Sequence, residues 1–413
     1  MARIEPFRAW RPAPRYAEQV ASPPYDVLSS EEARAIAAAN PKSFLHVVKP
    51  EVDLPSGVDQ YAHEVYAKGA ENLRRMIAEG VLIRESRPAF YLYRQRMGDH
   101  VQTGVVAGAS VDEYEDGRIK KHENTRKVKE DDRTRHIEAT GANTGPVFLA
   151  YRAMDPIDRL VDRLTTGGPV YDFEAEDGIR HTLWVVDAPD DVAALAGAFG
   201  QVPAMYVADG HHRSASAARV REARRRANPD HTGNEPYNFF LAVLFPHDQL
   251  KIMDYNRVVR DLNGLDPDAF LARVGEKFEV TETAEPRPSA PKEMGMFLGG
   301  RWYRLRARPG TYPEGDPVKC LDVAILQDNL LAPILGIGDP RTDERIDFVG
   351  GIRGLGELER RVGSGEWAVA FALYPTSIDQ LFAVADAGKV MPPKSTWFEP
   401  KLRSGLIVRP LDD

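Results

Sequence analysis

The chain has 413 residues, 43% hydrophobic and 28% charged, enough apolar mass for a large core or for two domains. Its net charge of −8 excludes a general attraction to nucleic acid or anionic lipid, so any anion binding must be local. The single cysteine, Cys320, excludes an intramolecular disulfide and a thiolate metal cage; beside Leu321, Val323, Ala324 and Ile325 it is expected as a packed core thiol in a reducing compartment.

The first residues, Met1-Ala2-Arg3-Ile4-Glu5-Pro6, lack the apolar run of a signal peptide, and no stretch approaches the length of a bilayer span, so a cytoplasmic location is expected. Pro-rich irregular chain (Pro12, Pro14, Pro23, Pro24) then gives way to helix. Ser29 followed by Glu32 has the spacing of a capping box, and Asn40-Pro41 closes the helix it starts. A longer helix is predicted over about 59–78, with Tyr61, Val65, Leu73 and Ile77 as apolar anchors and Gly80 as its stop. Residues 90–93 and 103–106, joined across Gly98-Asp99, read as a β-hairpin.

Further on, strand candidates at 146–151, 181–186, 203–208 and 238–245 alternate with helices at 155–164, 190–199 and 213–227. The rest predicts a helix at 267–277, a hairpin through Gly299-Gly300, an apolar helix at 321–335, and strands at 367–373 and near 406–408. The expected fold class is α+β (mixed α/β), with an N-terminal cap region over 1–104, a catalytic core over 105–264 and a C-terminal α/β region over 265–413.

The most informative segment is Asp209-Gly210-His211-His212-Arg213, between an apolar run and an Ala/Arg-rich helix. A strand-to-helix turn of this kind directs free backbone N–H groups and the positive helix end at an anion, and phosphate is the expected occupant. Gly210 permits close backbone approach, His211, His212 and Arg213 supply donors, and Asp209 can hold Mg²⁺ directly or through water. The plainer alternative is a polar helix start with Asp209 as its cap. A zinc site on the two adjacent histidines is disfavoured, since they diverge and no further His or Cys completes a tetrahedral set. Arg219, Arg221, Arg224, Arg225 and Arg226 read as a solvated helix face.

A second polar cluster runs from Ile119 to His136. Lys127, Lys129, Arg135 and His136 read as surface in a salt-bridged connection. His122-Glu123 stands apart, where a strand would hand over to the next helix. A Glu123 carboxylate held among Lys121, Arg126 and Arg133 stays ionised and can accept a proton from a hydroxyl. Three lesser segments are candidates for lining a pocket: Tyr25 and Asp26 after a rigid Pro-Pro turn, Thr144 in Asn143-Thr144-Gly145-Pro146, and Lys394-Ser395-Thr396, whose cation and hydroxyls suit a substrate carboxylate or phosphate. For each, an ordinary structural loop is the competing reading.

Together, the Ile119-x-x-His122-Glu123 pattern and the later Asp-Gly-His-His-Arg turn resemble the ParB/sulfiredoxin superfamily, and within it the free serine kinase branch. Over its whole length the chain resembles the family called domain of unknown function 1015, which carries this turn and close matches to Lys120-Lys121-His122-Glu123, Pro23-Pro24-Tyr25-Asp26 and Lys394-Ser395-Thr396. The resemblance implies a ParB/sulfiredoxin-like core with N-terminal and C-terminal additions. It implies Glu123 as general base and Asp209, His211, His212 and Arg213 as a phosphate-binding and metal-organising turn; with Asp209 as metal ligand and His211 as a further catalytic group, the donor-phosphate site is expected from Gly210, His212, Arg213, Lys121, His122, Arg126, Arg133 and Thr144. Tyr25, Asp26, Lys394, Ser395 and Thr396 are then candidate substrate contacts.

His211 stands where sulfiredoxins carry the catalytic cysteine, which excludes their redox chemistry, and no helix-turn-helix segment of the ParB kind follows residue 260. The function expected from the resemblance is phosphorylation of a small hydroxylated metabolite, free L-serine first, with Mg²⁺ and a nucleotide or pyrophosphate donor. The alternatives are a non-catalytic ParB-like nucleotide-binding switch and the reverse dephosphorylation of phosphoserine. No Walker loop argues for ATP in particular. The expected partners are a small-molecule substrate and a phosphate donor, with no nucleic acid and no membrane; homo-oligomerisation is left open.

Overall fold

The computed structural model describes residues 2–412, with 35% helix and 26% strand, and the class is mixed α/β as expected. The chain forms two compact units, one running up to Leu250 and including the tail from Pro400, the other spanning Lys251–Glu399.

The first unit is organised on a nine-stranded sheet. Its strand order is Ile119–Lys120, Met205–Asp209, Val147–Tyr151, Phe239–Pro246, His100–Ser110, Phe90–Met97, Arg180–Val186 and Tyr171–Glu174, with Ile4–Glu5 also paired on His100–Ser110. All eight residues of Phe239–Pro246 are buried, as a continuous apolar run requires of a central strand. One core cluster joins Leu149, Val207 and Leu244 of the sheet to Ile157, Leu195 and Phe199 of the helices Asp155–Leu164 and Pro189–Phe199. The helices Lys127–Thr140 and His211–Ala227 pack against each other, and His63–Ala78 packs on the former.

The expected hairpin extends over Phe90–Met97 and His100–Ser110, so residue 104 falls inside a strand and the segments on either side of it share one sheet. Ser29 and Glu32 form the capping box of the helix Ser30–Ala39. The helix predicted from residue 59 begins at His63. Near the C-terminus, Val408 makes only a bridge to Trp10, and the strand is Arg409–Pro410, paired with Ala142–Asn143.

The second unit carries an antiparallel sheet ordered Phe278–Glu282, Arg301–Ala307, Glu293–Leu298, Val369–Leu373, Tyr255–Val259 and Ile346–Gly350. The apolar helix expected over 321–335 is an α-turn at Asp322–Leu326 continuing into a π-helix at Gln327–Leu331. Cys320, at its entrance, is half-buried and not a packed core thiol. No helix among the described residues is long and apolar enough to cross a membrane.

Candidate active site

The strand Met205–Asp209 ends at Gly210, whose φ of 104° lies where side chains are strained and where a Cβ would sit 3.3 Å from Val147 Cα. The helix His211–Ala227 then starts with Gly210 at its cap position and no side-chain cap, so Asp209 does not play the capping role. Its carboxylate instead takes Lys401 Nζ at 3.1 Å and Arg213 Nη2 at 3.4 Å. Burial would raise the Asp209 pKa, but Lys401, then Arg213, outweigh it and hold the carboxyl below its ordinary 3.8. Lys401 escapes sequence analysis: nothing local marks it, and it reaches the turn because Ser404 and Val408 bridge to Ser22 and Trp10.

Ile119–Lys120 pairs in parallel with Met205 and Tyr206, which lays the following loop across the helix start. Glu123 Oε2 lies 3.6 Å from His211 Nδ1. The His122 amide donates to His211 Nε2 at 3.5 Å, and the Arg126 amide donates to His212 Nε2 at 3.0 Å. The structure brings together the two segments that the sequence singled out and sets Glu123 against the first residue of the helix. The loop between them is held by backbone amides that no side-chain pattern reveals.

The histidines expected as donors sit in surroundings that disfavour their charged form. Burial drives His211 to about 3, with His212, Arg213 and Lys121 adding to the effect against Asp209, so the ring is neutral at neutral pH. His212 is lowered too, chiefly by burial. His122 is 1% exposed, sits edge-on to the His211 ring with centroids 4.4 Å apart, and is held at about 3 by burial and by His211. Neither of its ring nitrogens makes a hydrogen bond, although the Val207 carbonyl nearby weakly favours protonation. His122 thus backs the His211 ring instead of reaching outward to a phosphate.

Arg213 donates to the Pro146 carbonyl and reaches Asp26 Oδ2 at 3.5 Å. Burial disfavours its charge, but Asp26 and Asp209 outweigh that and raise its pKa. Arg133 does not pair with Glu123: it donates to Asp132 at 2.8 Å and lies over the Tyr25 ring at 4.0 Å. Arg133, Tyr25, Thr144 and Arg213 border a cavity of about 30 Å³, room for about one water. Lys121 is exposed with its ammonium 4.4 Å above the Tyr114 ring, and the Arg126 side chain is exposed.

Two surface expectations also fail. His136 is buried and donates from Nε2 to the Val47 carbonyl at 2.8 Å, because His63–Ala78 and the segment before it cover that helix face. Arg221 is buried beside Asp112, Glu115 and Asn238. Lys394, Ser395 and Thr396 belong to the second unit. There Lys394 adopts φ 58°, the Arg257 guanidinium donates to its carbonyl at 2.8 Å, and the Ser395 hydroxyl donates to the Pro392 carbonyl at 2.6 Å. That turn has an internal structural reason for its residues.

No group of three His, Cys, Asp or Glu side chains among the described residues could hold a metal. Asp209 offers one carboxylate, already paired with Lys401 and Arg213. This donor set fits a Mg²⁺ carried mostly by phosphate oxygens and water, not a protein-built cage.

A strand, a left-handed glycine, an uncapped helix start and a carboxylate facing its first residue define an α/β protein with a candidate anion site. The chain belongs to the family described as protein of unknown function DUF1015, whose pattern matches residues 4–324. No curated protein matches it. Solved structures similar to it include a free serine kinase in complex with AMP (13% identity, TM-score 0.35, 74% of this chain and 91% of that one). Others are SbnI with a C-terminal truncation from Staphylococcus aureus (15%, 0.36, 74% and 87%) and a conserved hypothetical protein from Pyrococcus furiosus (13%, 0.36, 74% and 95%). At these TM-scores the likeness carries no argument about chemistry.

Proposed function

We propose that the protein transfers a phosphoryl group to the hydroxyl of a small metabolite, with free serine as the first acceptor to test. The observation that carries this reading is the 3.6 Å approach of Glu123 to His211 in the first turn of the uncapped helix, which sets a carboxylate beside a helix start of the kind that suits an anion. Glu123 is one-third exposed, so an acceptor can reach it. The choice of serine rests on the motif resemblance.

In the forward reaction the free first-turn amides bind the donor phosphate, and the Arg213 and Lys401 charges add to its attraction. The acceptor oxygen forms its bond to phosphorus as the bond to the leaving phosphate breaks, and Glu123 takes the hydroxyl proton. Neutral His211 keeps Glu123 oriented without neutralising it. Asp209 would hold a Mg²⁺ accompanying the donor, which when bound would supply charge neutralisation on the phosphate oxygens.

The test incubates folded protein with serine, Mg²⁺ and, in turn, ATP, ADP or pyrophosphate, and measures phosphoserine. Glu123→Gln is expected to lower turnover by about 100-fold or more while donor affinity is kept. No phosphoserine from any donor refutes the reading for serine. Turnover that survives Glu123→Gln removes Glu123 as the base.

A further inference from the structure

Far from the helix start, the same sheet has an open cleft of about 610 Å³, within the range of small-molecule sites. It lies over the edge formed by Phe90–Met97, Arg180–Val186 and Tyr171–Glu174. Residues directly opposite in antiparallel strands share a face, so the register builds two polar rows there. One row is Thr103, Arg94, Thr182 and Asp172; the next is Arg96, Arg180 and Glu174.

The face becomes charged where its cover ends. Trp184, opposite Leu92, is buried against the apolar core with Leu160 and Leu164 of the helix Asp155–Leu164. Beyond that helix the chain is pinned to the rim: Arg94 Nη2 donates to Thr165 Oγ1 at 3.3 Å, and Trp184 Nε1 donates to the Gly167 carbonyl at 2.9 Å. The next positions along the strands are left open.

The cleft is lined by three arginines, Arg94, Arg96 and Arg180, against two carboxylates, Asp172 and Glu174. Asp172 is taken by both arms of Arg180, at 2.8 and 2.7 Å, and by the Thr182 hydroxyl at 3.2 Å. Arg94 is half-buried, bonds only to threonine hydroxyls and lies over the Trp184 ring at 5.0 Å. Arg96 is exposed beside it, and among the described residues neither arginine makes an ion pair. Burial, and then repulsion from Arg96, lower the Arg94 pKa against a smaller opposing pull from Asp162.

Structural arginines are ordinarily compensated; two same-face guanidinium groups spaced about 7 Å along one strand and in no ion pair match a ligand with two anionic ends. We propose that this cleft is a second binding site, for a small molecule carrying two anionic groups, gripped by Arg94 and Arg96.

The test is isothermal titration calorimetry on the full chain with pyrophosphate and with citrate, which separates phosphate from carboxylate recognition. At least one is expected to bind, and Arg96→Gln, which removes no contact within the protein, is expected to weaken it fivefold or more without changing the melting temperature of the free protein. Arg94→Gln should weaken the same ligand. Lys401→Met, which removes the ammonium paired with Asp209, should leave the Arg96-dependent binding unchanged, which separates this cleft from the helix start. Absence of binding by both probes, or affinity unaltered by Arg96→Gln, overturns the proposal.

Discussion

Replacing Lys401 by methionine tests whether the helix start is poised electrostatically as described. The perturbation removes the ammonium 3.1 Å from Asp209 and keeps most of the side chain's length. Taking one partner from a fully buried pair costs about 3–5 kcal/mol, and an exposed pair is worth about 0–1. Asp209 and Lys401 are 29% and 18% exposed, and Arg213 remains 3.4 Å from the carboxylate. An intermediate loss of about 1–2 kcal/mol is therefore expected at neutral pH.

The sign follows from the lowered Asp209 pKa: the stability it lends is complete above the ordinary value of 3.8 and is lost as pH falls through the lower folded value. The variant has less of this stability to lose. Urea unfolding should show a gap between parent and variant that is constant from about pH 7 to about pH 5 and narrows below about pH 4. A gap under about 0.5 kcal/mol at neutral pH, or one that widens on acidification, would refute the electrostatic account.

Gly210→Ala should cost about 1–3 kcal/mol from its backbone conformation, more if Val147 cannot yield, whereas Gly145→Ala, with no contact under 3.7 Å, should stay within about 0.5 kcal/mol; thermal unfolding checks both. Because burial holds His122 and His211 near 3 and His136 near 4, each binds protons more readily when unfolded, so stability should fall as pH drops from 6.5 toward 4. His136→Gln should make that fall shallower, and a urea midpoint indifferent to pH over this range would contradict the burial of all three. Arg257→Met strips the carbonyls of Tyr255 and Lys394 of their buried donor and should cost about 2–4 kcal/mol, while Lys394→Ala should cost under about 0.5 by the same urea assay.

Much of the local architecture was legible because it is local. The capping box at Ser29 and Glu32, the helix at 155–164 and the strand-to-helix turn at 209–211 depend on residues within a few positions of one another. The approach of Glu123 to His211 was reached through a motif resemblance, not through spacing. The readings that failed share a cause: Arg133 on Tyr25, His136 under Val47 and Arg221 against Asp112 each depend on a distant neighbour. A charged side chain looks solvated until another segment covers it.

Sequence alone determined the mixed α/β class, the alternation of elements and the glycine-led turn, since hydrogen-bonding periodicity and φ preference act over short stretches. Tertiary structure decided which charges meet. Lys401 joins Asp209 across nearly two hundred residues through strand bridges, and burial keeps His122 and His211 neutral well below the ordinary pH of imidazole titration. Both effects depend on solvent exclusion by chain segments remote in sequence, and no local pattern encodes that.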